Sequence, residues 1–103
     1  EELKKEIESI VEQLIEKYHA QKVILFGSAA GSGFGPDSDL DFLVIKQDVP
    51  ANSRERMREV RKLIESHLPV DYLIYKNEEL ENRLRLGDPF LKCVFAEGKV
   101  LYG

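Results

Sequence analysis

The fold this sequence predicts is α+β, a β-sheet with helices packed on it, and three patterns predict it. Leu3, Ile7, Ile10, Val11, Leu14, Ile15 and Tyr18 recur at helical spacing. Three short runs rich in β-formers follow, Val23–Phe26, Leu40–Ile45 and Val70–Tyr75. Helical stretches separate them, and that alternation lays the three strands in one sheet under helices. The 103 residues suit one domain, 1–103, with a modest core.

The elements follow in order. A first amphipathic helix is expected over roughly residues 2–19, and Gln21-Lys22 lead into the first strand. Gly27 to Ser38 is rich in Gly, Ser and Pro and reads as loop, with a short helical turn after Ser28. The second strand runs from about Asp39 to Ile45. Pro50, Asn52 and Ser53 supply a stop and an N-cap for a helix whose inner face carries Met57, Val60, Ile64 and His67 or Leu68, with Pro69 ending it. After the strand Val70–Tyr75, Asn77 is the expected cap of a helix through Leu80, Leu84 and Leu86 that Gly87 closes. Asp88-Pro89 opens a further short helix, and Lys99–Tyr102 reads as a final edge strand.

Composition narrows the function classes. No apolar stretch is long enough to span a membrane, and no signal-peptide pattern is present. Cys93 is the sole cysteine, which excludes an internal disulfide and suits a reducing compartment such as the cytoplasm. A formal net charge of -4 argues against broad binding to nucleic acid or to a membrane surface.

The chemistry concentrates on three acids. Asp39 and Asp41 stand two positions apart at a strand end, so both carboxylates face one way. Such a pair repels itself unless a cation sits between, and Mg²⁺ favours one or two carboxylates plus substrate phosphates. If the third strand lies beside the second, Asp71 joins them, and three converging acids make a two-cation site for in-line displacement at phosphorus. Gly27 lets the backbone approach a phosphate closely, and Ser28 offers its hydroxyl and main-chain N–H to the same phosphate.

Phe26-Gly27-Ser28, then Pro36-Asp37-Ser38-Asp39-Leu40-Asp41, then Val70-Asp71 together resemble the polymerase-β-type nucleotidyltransferase superfamily. Over nearly its full length the chain is similar to the smallest branch, the minimal nucleotidyltransferases of bacteria and archaea. The resemblance implies a mixed sheet of the polymerase-β type. It implies that Asp39, Asp41 and Asp71 hold Mg²⁺ and form the catalytic set, with Asp71 also the base for an attacking hydroxyl. By the same resemblance Gly27 and Ser28 bind the triphosphate of ATP or another NTP, and NMP, in first place AMP, passes to a hydroxyl. Members of that branch pair with a helical HEPN-type partner as the antitoxin of a toxin–antitoxin module, and some adenylylate a tyrosine on it. One departure stands out. Family members commonly carry Arg and Gly soon after the Gly-Ser step, whereas here no basic residue lies between Lys22 and Lys46.

Other signals read more plainly. The glycines from Gly27 to Gly35 fit neither a Walker loop, which needs Gly-Lys-Ser/Thr, nor a dinucleotide fingerprint, whose third glycine is replaced by Pro36. Asp37 reads as a turn residue. Arg54, Arg58, Arg61 and Lys62, interleaved with Glu55, Glu59 and Glu65, read as a solvated, salt-bridged face. His19 and His67 lack companions at zinc-ligand spacing. Cys93, Phe90, Phe95 and Tyr102 read as packing residues. Two rival readings accompany the enzyme: a non-catalytic module that binds a partner through its surface, and a weak metal binder that forms homo-oligomers through its sheet edges.

Overall fold

Ile10 and Leu14, at the centre of the first apolar stripe, are fully buried, and the helix carrying them spans Glu2–Glu16 (α1). The computed structural model describes residues 2–31, 33, 35 and 38–103. After α1 come strand β1 (Lys22–Phe26), a 3₁₀ turn (Gly27–Ala30), β2 (Leu40–Ile45), α2 (Ser53–Leu63), β3 (Val70–Tyr75), α3 (Asn77–Arg85), α4 (Pro89–Glu97) and β4 (Lys99–Tyr102). The four strands make one sheet in the order β3-β2-β1-β4. β2 and β3 run parallel, while β1 is antiparallel to both β2 and β4, so the sheet is mixed. A parallel pair cannot be closed by a hairpin, and α2 supplies the crossover.

Strand alternation sorts the core into two layers. Val23, Leu25, Phe42, Val44, Tyr72 and Ile74 pack with Ile10, Leu14 and Val60 on the side of α1 and α2. Ile24, Leu43 and Ile45 pack with Leu80, Leu91 and Val94 on the side of α3 and α4. Both faces of β2 are therefore covered, which is why Phe42–Ile45 reads as an unbroken apolar run. Phe42, fully buried and stacked on Tyr72 with ring centroids 6.2 Å apart, contributes about 2–3 kcal/mol by burial alone. Among the described residues, no helix is long and apolar enough to cross a membrane.

Several boundaries and burials differ from the sequence expectation. α1 stops at Glu16, and His19 takes a left-handed φ of 62° that turns the chain toward β1. α2 stops at Leu63, well short of Pro69: Ile64 is extended and drops its side chain into the core. The Gln13 side chain then holds the following segment, accepting from Glu65 N at 2.8 Å and donating to Glu65 O at 2.9 Å. His67 lies outside any helix and meets Glu6. Asn77 begins α3 rather than capping it. The cap position is Lys76, whose N–H donates to Glu79 Oε1 at 2.9 Å. Leu86 is 74% exposed just beyond α3. Cys93 is exposed, and Phe90, Phe95 and Tyr102 are 47%, 38% and 40% exposed, so none of the four is a core residue. On α4 the core contacts are made by Leu91 and Val94 instead.

Arg56 is the buried charge that its exposed neighbours on α2 concealed. Its guanidinium donates to Pro50 O, to Ile74 O at 3.0 Å and, as a fork, to both carboxylate oxygens of Glu79 at 2.8 and 2.9 Å. One side chain thereby ties α2 to β3 and α3. That fork holds the Glu79 carboxyl far below the ordinary range, at about 2.

Candidate active site

Ladder register sets the site. Asp41 on β2 stands opposite Asp71 on parallel β3 and opposite Phe26 on antiparallel β1. Residues opposite one another share a face, so Asp71, Asp41 and Phe26 form one row across three strands. The row lies on the α3–α4 side, beyond the apolar cover over Ile24 and Leu43. Asp39, exposed and just ahead of β2, sits close enough to act on Asp41. Burial first, then the charges of Asp71 and Asp39, push the Asp41 carboxyl above its ordinary value.

Gly27 faces that carboxylate directly. Its φ is +76°, a left-handed value, and an added Cβ would collide with Asp41 Oδ2. Phe26 ends β1 in extended geometry, and the chain then coils through the 3₁₀ turn that carries Ser28. A turn of four residues, Gly27–Ala30, brings backbone N–H groups but little macrodipole, so any hold on a phosphate here is local. The basic donor missing from the sequence is also missing from the turn, where Ala29 and Ala30 pack toward the core. Asp37 lies outside the described residues.

Asp71 has a partner that the sequence did not reveal. Arg61 Nη2 lies 3.6 Å from Asp71 Oδ1 and donates to Val70 O at 2.9 Å. Among the described residues, no group of three His, Cys, Asp or Glu side chains stands close enough, as placed, to hold a metal ion. The donor set still fits a hard cation, because it consists only of carboxylate oxygens and because a bound cation would offset the charges of Asp71 and Asp39 that add to burial in lifting Asp41. Bringing in Asp71 requires it to leave Arg61. Both side chains are more than half exposed, so that ion pair is worth about 0–1 kcal/mol.

A cleft of about 410 Å³ is lined by Gly27 together with Phe26, Ala30, Phe90, Cys93, Val94 and Glu97. The sequence reading assigned it no residues beyond Gly27. A larger hollow of about 600 Å³ between α2, β3 and α3 holds the Arg56–Glu79 pair and none of the three aspartates.

The sequence profile of the nucleotidyltransferase domain matches residues 4–102. The chain belongs to that family. A crystal structure from Sulfolobus solfataricus, described as a candidate nucleotidyltransferase, is similar at a TM-score of 0.51 and 26% identity, over 74% of this chain and 78% of that one. No curated protein matches the chain. Membership brings the general activity, transfer of a nucleoside monophosphate from a nucleoside triphosphate, and with it the α+β fold of the polymerase-β type.

Proposed function

We propose that this chain is a Mg²⁺-dependent nucleotidyltransferase that moves AMP from ATP to a hydroxyl on a protein partner of HEPN type, as the antitoxin of a toxin–antitoxin pair. The observation that carries the catalytic reading is the placement of Asp41 between Asp71 and Gly27. Asp39 and Asp41 hold Mg²⁺ in this reading, and Asp71 completes the set once released from Arg61. Bound Mg²⁺ supplies charge neutralisation at the phosphates and at the leaving pyrophosphate. Gly27 admits the triphosphate backbone-close, and Ser28 donates to it. Asp71, exposed on β3, accepts the proton of the incoming hydroxyl. The AMP preference, the partner and the antitoxin role rest on the sequence resemblance.

The test is incubation with labelled ATP, Mg²⁺ and the protein encoded beside this one. Label on the partner is expected, and Asp41→Asn abolishes it. Absence of transfer by the parent chain, with partner and Mg²⁺ present, sinks the reading.

A second reading, a non-catalytic module that binds a partner, draws on two observations: the Asp71–Arg61 contact and the absence of a basic residue in the turn after Ser28. Calorimetry with Mg²⁺–ATP separates the two, since the module binds none.

A further inference from the structure

We propose that Arg61 holds the α-phosphoryl group during transfer, supplying from α2 the cation that the turn after Ser28 lacks. The inference rests on the nucleotidyltransferase reading and adds a catalytic residue to it.

The line of transfer is the first argument. The acceptor oxygen bonds to the α-phosphorus and gives its proton to Asp71, while the bridging bond to the β-phosphate breaks and pyrophosphate leaves with the electron pair. Attack and departure lie in line. Pyrophosphate therefore departs toward Gly27 and Ser28, and the α-phosphorus sits at the Asp41–Asp71 end of the row. Asp41 and Asp71 are register partners on neighbouring strands, and such strands lie about 4.8 Å apart. The α-phosphoryl oxygens thus come within about one strand spacing of Asp71.

Arg61 stands at that end. It lies in the last turn of α2, which packs on the other face of the sheet, and its side chain reaches round the free edge of β3. Nη2 donates to Val70 O at 2.9 Å and lies 3.6 Å from Asp71 Oδ1. The first contact is a hydrogen bond, and the second is too long to be one. The main chain therefore anchors the guanidinium. Among the described residues it has no other hydrogen-bond acceptor, which leaves most of its planar set of N–H donors open to a phosphoryl oxygen. The side chain is 52% exposed, so a ligand can reach it.

Charge gives the third argument. Among the described residues, Arg61 is the one cation paired with any of the three aspartates. No basic residue lies between Lys22 and Lys46, and Arg56 and Arg83 are taken by Glu79 and Asp88. When Asp71 turns to Mg²⁺, as the proposed function requires, Arg61 loses its carboxylate neighbour and keeps its tie to Val70 O. Its charge is then free for the phosphoryl oxygens, over which the transition state spreads negative charge, and a fixed guanidinium beside them stabilises it. An exposed, weak pair suits this exchange of partners, since a buried pair would be costly to break.

The test separates the two ends of the nucleotide. Calorimetry measures ATP and pyrophosphate, each with Mg²⁺ at saturation so that loss of the Asp71–Arg61 pair no longer counts. Arg61→Ala is expected to weaken ATP about tenfold and pyrophosphate, which fills the Gly27 end, by less than about twofold. With the protein encoded beside this one as acceptor, kcat should fall about a hundredfold, and Arg61→Lys should recover about tenfold of that loss. Should Arg61→Ala fail to fold in urea denaturation, Arg61→Lys carries the same comparison, with ATP weakened about threefold and pyrophosphate unchanged. A residue that only braces Val70 moves ATP and pyrophosphate alike or moves neither. Either result overturns the assignment while the enzyme reading stands. A parent chain that binds neither ATP nor pyrophosphate overturns both.

Discussion

The carboxylate of Asp41 occupies the space that a side chain at Gly27 would need. The glycine thus answers two demands at once: a left-handed φ of +76° and contact between backbone and carboxylate. Gly27→Ala is expected to cost about 1–2 kcal/mol of stability through the backbone term. It should also lower Mg²⁺–ATP affinity by more than about tenfold, because Asp41 must move. Urea denaturation and calorimetry on the same preparation check the two effects separately.

Asp41 carries a stability prediction with a definite sign. Its carboxyl is held above its ordinary value of 3.8 by burial, then by Asp71 and Asp39. The folded chain therefore binds this proton more tightly than the unfolded chain. The group favours the fold at low pH, and that contribution is lost as pH rises through the raised folded value. Asp41→Asn should accordingly be more stable than the parent at pH 7, with the gain shrinking toward pH 4. A variant that unfolds more readily at pH 7 shows instead that Asp41 is structural.

Arg61 stands 3.6 Å from Asp71. Arg61→Ala is expected to tighten Mg²⁺ or Mn²⁺ binding by about two- to fivefold, the worth of one exposed ion pair. Metal titration of the two proteins decides it, and weaker binding in the variant removes Asp71 from the proposed ligand set.

Glu79 behaves in the opposite sense to Asp41. The Arg56 hydrogen bonds lower its carboxyl from 4.5 to about 2. Its stabilising contribution is complete above pH 4.5 and is lost as pH falls toward 2. Glu79→Ala leaves the buried Arg56 guanidinium without its carboxylate. The expected cost at pH 7 is about 2 kcal/mol, below the figure for a fully buried pair because the Glu79 side chain is 38% exposed. Denaturation curves at pH 7 and pH 3 should show the difference between parent and variant narrowing in acid.

Tyr18 buries its hydroxyl without a hydrogen-bond partner among the described residues, and burial raises that hydroxyl to about 12. The ring packs in the core near Lys46 Nζ, which lies 5.1 Å from the centroid. Tyr18→Phe keeps the ring and removes the desolvated oxygen, so it should raise stability by about 1 kcal/mol. A loss of stability would mean that the hydroxyl finds a partner in solution.

What the sequence disclosed and what it hid divide along physical lines. Runs of β-formers at Leu40–Ile45 and Val70–Tyr75 marked the strands, and the two-residue spacing of Asp39 and Asp41 pointed to a shared face. Those are local signals. The parallel register placing Asp71 beside Asp41 depends on the crossover through α2 and was legible only as a condition. Arg56 drew no attention among the charges of α2, because nothing in the pattern of that helix announces Glu79, twenty-three positions away on another helix. The early end of α2 came from Ile64 seeking the core and Gln13 holding Glu65, both tertiary effects that override helical periodicity. Cys93 and Phe90 were misread for the same reason: α4 has one inward side, and Leu91 and Val94 fill it.

The pairing of β2 with β3 divides the molecule into a part that can change and a part that cannot. Sliding either strand by one residue would carry an aspartate to the opposite side of the sheet and send a core side chain into water, so the distance between the two acids is fixed by the same bonds that keep the domain folded. Helix α4 is tied to the sheet by side-chain packing through Leu91 and Val94 and not by a hydrogen-bonded register. Changes on the outer side of that helix should therefore be tolerated while the spacing of Asp41 and Asp71 stays as it is.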